Sequence, residues 1–253
     1  MLRACLRVWA MALGFVVLAL PAAAADIHFF CTDALAPAMR QLVPAFEKAS
    51  SHQVRTTVAS AGTIAARLQA GETADLAIVL PPAWDRLREQ GRIDPAIRIV
   101  LGRVGLGAFV RAGADLPDIS TVDAFRQAIS AARRIAVRDP AQRSPVGTYM
   151  LALFDRLGLT GIVQPKLLLT AHPPFEEVTS GQAELGFSTL AEIAANPQVR
   201  LVGAMPAEIQ TYNVMTAAVP VGSTHRTAAA ELLRFLGTES SRSVLRANGI
   251  ATD

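Results

Sequence analysis

The sequence is short of the side chains from which metal centres, disulfides and most catalytic sites are built. It has two cysteines, Cys5 and Cys31, and four histidines, His28, His52, His172 and His225. No H-E-x-x-H helix signature brings two of those histidines together, and no clustered His/Cys set has zinc-ligand spacing, so no metal is expected. There is no G-x-S-x-G elbow, and Cys31 has no evident histidine partner, which removes the usual warrants for a hydrolase. The chain is expected to bind a molecule without being an enzyme, and no cofactor is implied. Lysine is limited to Lys48 and Lys166. Arginine supplies the remaining positive charge, and it is scattered, as on a solvated surface.

Long apolar runs are missing as well, except at the start. Arg3 and Arg7 precede an apolar stretch from Val8 to Leu20, followed by Pro21 and four alanines. That is the pattern of a cleavable secretory signal spanning residues 1–25. The run is too short for a bilayer span of about 20 residues, and Cys5 lies before it, not at its end where a lipoprotein cysteine stands. A periplasmic protein starting at Asp26 is expected. Its one remaining cysteine, Cys31, allows no intramolecular disulfide, so packing must hold the fold. Losing Arg3 and Arg7 lowers the formal charge from +3 to +1, so the sequence pI of 9.3 is no argument for nucleic acid.

What is present is an alternation of strand and helix. "DIHFFCT" reads as a strand, and "APAMRQLVPAFEKAS" carries Met39, Leu42, Val43 and Phe46 at helical spacing. "QVRTTVAS" and the nearly continuous "ADLAIVL" are further strands, the latter apolar as buried parallel strands are. An α/β protein follows. The segment "LQAGETADLAIVLPPAWDRL" is echoed by "VTSGQAELGFSTLAEI". Each reads as helix end, Gly turn, Ala-acid-Leu strand, loop and helix, which suggests two similar domains. "IRIVLGRVGLGAFVRAG" and "YNVMTAAVPVG" are long enough to cross between them. The expected division is 26–105 with 218–253 as domain I and 106–217 as domain II, with a ligand cleft between.

In element order and in "FEKASSHQV", "SAGTIAARLQAGETADLAIVL", "RIAVRDP...SPVG", "EEVTSGQAELGFSTLAEI" and "AAAELLRFLGTESSRSVLRANGI", the chain resembles the periplasmic molybdate-binding proteins. These are type II periplasmic substrate-binding proteins of ABC importers. The resemblance implies a monomer that carries a small anion, molybdate or tungstate, to an inner-membrane ATP-driven permease. In that family serine hydroxyls and backbone N–H groups at helix starts hold the oxyanion, and helix N-termini suit negative charge.

Carried over residue by residue, the resemblance implies five binding loops. In the first, the family's serine falls on Ala34, leaving Thr32 near the ligand and Asp33 as a helix cap. The second puts Ser60, Gly62 and Thr63 at a helix start. The third, "RSPVGTYM", offers Ser144 and Gly147 together with Arg143, which matches a carboxylate better than a spherical oxyanion. The fourth offers the amide near Ala171 and the ring of His172. In the fifth, Ser188 or Thr189 replaces a family tyrosine, giving a shorter reach and a wider cavity. Two ligand classes therefore stay open, an oxyanion and a small di- or tricarboxylate. A ligand-presenting sensor component is a further alternative.

Overall fold

The computed structural model describes residues 24–252, so the signal segment expected at 1–25 lies almost wholly outside the described residues. Strands run β1 (Asp26–Thr32), β2 (Gln53–Ala59), β3 (Leu76–Val79), β4 (Ile93–Arg111), β5 (Ile135–Arg138), β6 (Leu167–Thr170), β7 (Leu185–Thr189), β8 (Val199–Ala204) and β9 (Tyr212–Pro220). Helices run α1 (Ala36–Ala49), α2 (Ala61–Gln69), α3 (Pro81–Glu89), α4 (Val122–Ala131), α5 (Pro145–Arg156), α6 (Thr160–Val163), α7 (Phe175–Thr179), α8 (Leu190–Ala194), α9 (Arg226–Leu236) and α10 (Glu239–Ala247).

The strand order is β2-β1-β3-β9-β4-β7-β5-β6, with β8 paired to β4 off this path. β1 lies parallel to β2 and β3, and β5 lies parallel to β6 and β7. The antiparallel pairs all involve β4 or β9. Parallel units are thus joined by two long antiparallel strands, and β4, at 19 residues, takes part in both sheets.

Each sheet has its own core. Phe29, Leu35, Met39, Leu42 and Phe46 pack with Leu232, Leu236 and Leu245 of α9 and α10, so the C-terminal helices cover the β1 side. The Phe46 and Phe235 rings lie 5.5 Å apart across that contact. On the β5 side, Phe125, Ile129, Val137, Met150, Leu153 and Phe187 are fully or almost fully buried together. Burying each such side chain contributes about 1.5–3 kcal/mol. Cys31 is buried in the first core, where burial, with the Asp33 charge in support, pushes its thiol up and keeps it protonated.

Helix starts are set locally. Ser60, Ser144 and Thr189 each accept a backbone N–H three residues on, from Thr63, Gly147 and Glu192 respectively. These are ordinary N-caps, and each follows the carboxyl end of a strand, where ligands bind in open α/β sheets.

Candidate functional site

The carboxyl ends of β1, β5 and β7 and the start of α2 converge on a narrow cleft with about 40 Å³ of free volume. Thr32, Ser60, Ser144, Ser188 and Thr189 line it, and all five are buried. Phe187 and Met215 add apolar surface, Pro173 and Pro174 line another side, and Asn213 contributes an amide.

The charged lining was largely missed by sequence reasoning. Arg138, the last residue of β5, donates through Nη1 to Asp33 Oδ2 at 2.7 Å. Its side chain is only 14% exposed, and its Nε is buried with no hydrogen-bond partner. Asp33 does not cap a helix as expected. It sits in the 3-10 turn Asp33–Leu35, whose start has no side-chain cap, and turns toward Arg138. The pair joins loops 105 residues apart in sequence.

Glu192, the third residue of α8, also lines the cleft. Its Oε2 accepts from Thr189 Oγ1 at 2.6 Å, Ser188 Oγ at 3.0 Å and the Thr189 amide at 3.4 Å. With the bond from the Glu192 amide to Thr189 Oγ1, this completes a capping box. Burial nevertheless pushes the Glu192 carboxyl above the usual carboxylate range. The hydrogen bonds from Thr189 and Ser188 oppose that rise, and the Asp33 charge adds to it.

The remaining expected residues fall around this centre. Thr63 faces Ser60, whose hydroxyl lies 2.9 Å from Thr63 Oγ1. Ser60 Oγ also lies 3.1 and 3.2 Å from the carbonyls of Gln142 and Arg143. This links the start of α2 to the loop after β5. Gly62 permits the same approach, since a Cβ there would stand 2.2 Å from the Arg143 carbonyl oxygen. Gly147 is equally constrained: a Cβ would meet the Arg138 carbonyl oxygen at 1.9 Å.

Arg143 itself has φ 53°, in the left-handed region, and is exposed. It borders a neighbouring groove with Gly62 and Tyr149, not the cleft. Ala171 and His172 are exposed and absent from the lining. The His172 carbonyl instead accepts from Thr170 Oγ1 at 2.6 Å. The prolines that follow take their place on the wall, and proline supplies no N–H donor. The signal for Arg138 was present in "RIAVRDP": a charge at the carboxyl end of an otherwise apolar strand.

This architecture, two α/β units joined by long strands with a cleft at the strand ends, is that of the type II periplasmic binding proteins. The profile of the bacterial extracellular solute-binding proteins matches residues 27–251, and the chain belongs to that family. A protein of Pseudomonas sp described as aconitate isomerase is 32% identical over 221 residues, covering 84% of this chain and 82% of that protein. The molybdate-binding protein ModA of Escherichia coli (strain K12) is 28% identical over 190 residues, 71% of each. The periplasmic molybdate-binding protein of Azotobacter vinelandii superposes with a TM-score of 0.73 at 19% identity, over 90% of this chain and 99% of that one.

Proposed function

We propose that the cleft binds a small polycarboxylate, and that the chain is a periplasmic carrier of organic acids that hands its ligand to an inner-membrane ATP-driven permease. The reading includes the division at about residues 105 and 217 and export by the N-terminal signal. One observation carries it: the guanidinium of Arg138 faces the cleft with a carboxylate, that of Asp33, already seated on it. A ligand carboxylate fits where Asp33 now binds, and a planar guanidinium can take it through two parallel bonds. The 32% identical relative described as aconitate isomerase supports a tricarboxylate of that kind.

The oxyanion alternative asks for free neutral donors, and most of these are engaged. Ser60 donates to main-chain carbonyls, while Ser188 and Thr189 donate to Glu192. The Asp33 carboxylate on the cleft wall would also stand against a compact dianion with little carbon to separate the charges.

A thermal-shift panel tests the choice, since a ligand at 100 times its Kd stabilises by about 2.7 kcal/mol. Aconitate, citrate or tricarballylate is expected to raise Tm, and molybdate, tungstate and sulfate are not. The reverse pattern sinks the proposal. Arg138→Ala is expected to weaken the polycarboxylate by roughly 2 to 5 kcal/mol, at least ~30-fold in Kd. Arg143→Ala, away from the cleft, is expected to leave it unchanged.

A further inference from the structure

Displacing Asp33 from Arg138 leaves a carboxylate behind on the cleft wall. The two residues come from different sheets, since Asp33 follows β1 and Arg138 ends β5. Their side chains, 27% and 14% exposed respectively, meet at 2.7 Å. Resting on the polycarboxylate reading, we propose that Asp33 is a specificity-determining residue that accepts a ligand hydroxyl, so that the cleft selects hydroxy-polycarboxylates over the same acids without the hydroxyl.

The surroundings of Asp33 supply the reason. A carboxylate only accepts hydrogen bonds. Once a ligand carboxylate holds Arg138, Asp33 needs a new donor, because a partly buried charge left unpaired costs more than an ordinary hydrogen bond contributes. The hydroxyls of the wall are turned elsewhere. Ser60 Oγ donates to the Gln142 and Arg143 carbonyls, and Ser188 and Thr189 donate to Glu192. Ser144 Oγ faces the Gly147 amide of its own helix at 3.1 Å, and Thr32 Oγ1 is turned to Met215 Sδ, 3.8 Å away. The free volume of about 40 Å³ leaves little room for water to take their place. The ligand itself is the nearest source of a donor.

An α-hydroxy acid has that donor in the right place. Its hydroxyl sits on the carbon next to the carboxyl group, beside the carboxylate that now holds Arg138. Asp33, on a short side chain in the turn Asp33–Leu35, stays close to that point after it is displaced. The hydroxyl donates to Asp33, and a hydrogen bond to a charged acceptor is stronger than one between neutral groups. An acid without the hydroxyl offers Arg138 the same carboxylate and leaves Asp33 unpaired. Asp33 thus competes with every ligand for Arg138 and compensates only the hydroxylated ones. A site built to pair with a ligand hydroxyl discriminates against the analogue that lacks it for this reason.

The test uses the whole chain without its signal, with citrate and tricarballylate as probes. These two acids differ only in the hydroxyl on the central carbon. Calorimetry of both on one preparation gives the ratio of their Kd values, which does not depend on the fraction of protein that is folded. The wild type is expected to bind citrate at least ~10-fold more tightly. Asp33→Ala removes the competitor and the acceptor together. It is expected to tighten tricarballylate roughly threefold or more and to reduce the citrate preference to about twofold or less. Asp33→Asn keeps an uncharged acceptor oxygen at the same place and is expected to hold an intermediate preference.

A wild-type chain that binds the two acids equally overturns the hydroxyl selection and leaves the polycarboxylate reading standing. An Asp33→Ala variant that keeps the full citrate preference, or that binds tricarballylate more weakly than the wild type, overturns the role of Asp33. No calorimetric binding of either acid to the wild type overturns both readings together.

Discussion

Asp75 and Glu192 are both carboxyl groups taken out of water beside backbone amides, yet the fold moves them in opposite directions. Asp75, 4% exposed, precedes β3 and accepts from the His28 amide at 2.9 Å, Ser223 Oγ at 2.8 Å, and the amides of Thr224 and His225 at 3.1 and 3.0 Å. Burial alone would raise its pKa, but the bonds from His28, Ser223 and His225 outweigh it and hold the group below the usual carboxylate range. Glu192 has fewer donors and a like charge nearby, so burial prevails. The donor count and the sign of the nearest charge, more than depth, separate a carboxylate that pins the fold from one suited to carry a proton.

The largest expected effect comes from removing the better-satisfied group. Asp75→Asn leaves several buried donors facing an amide and should cost roughly 3 kcal/mol, read from urea unfolding at pH 7. The depressed folded pKa means that Asp75 contributes its stability above the ordinary aspartate pKa of about 3.9 and loses it as pH falls through the folded value. The deficit of the variant is therefore expected to shrink toward acid pH. A deficit that is constant from neutral to acid pH would show that the Asp75 charge is not what pins the loop.

Glu192→Gln should give a smaller effect of the other sign. With a raised folded pKa, the folded state favours the neutral carboxyl. The contribution is fully present below the ordinary glutamate pKa of about 4.3 and is lost as pH rises through the folded value. The glutamine variant is thus expected to melt at or above the wild type near neutrality, with the gain disappearing in acid. A clear loss of Tm at neutral pH would assign Glu192 a purely capping role. The smallest effect is expected from Asp33→Asn. Removal of that charge should lower the Glu192 titration midpoint toward its ordinary range, followed by carboxyl-carbon NMR. An unchanged midpoint would mean that the two groups do not sense one another.

Much of the scaffold could be read from the residues. The apolar spacing of α1, the unbroken apolar run of β3 and the long strands at "IRIVLGRVGLGAFVRAG" and "YNVMTAAVPVG" correspond to observed elements. The echo of Ala74-Asp75-Leu76 in Ala183-Glu184-Leu185 was equally plain, but the equivalence ends at the side chains. Asp75 is buried among donors from the β9–α9 loop, whereas Glu184 accepts the Arg133 amide at 2.8 Å and pairs with the largely exposed Arg133 side chain. A repeated pattern places a carboxylate at a strand start and does not say what that strand end faces.

The sequence by itself determined the features whose partners lie within a turn or two. Ser60, Ser144 and Thr189 start helices because each hydroxyl accepts from an amide three residues away, a bond available to the local chain. Tertiary structure alone decided which charges meet in the cleft. Of the two arginines near the third loop, the left-handed backbone at Arg143 leaves its side chain exposed while its carbonyl meets Ser60, and the β5 register brings Arg138 inward to Asp33. The direction of a side chain at a strand end is set by strand pairing and by the opposing loop, and those partners are distant in sequence.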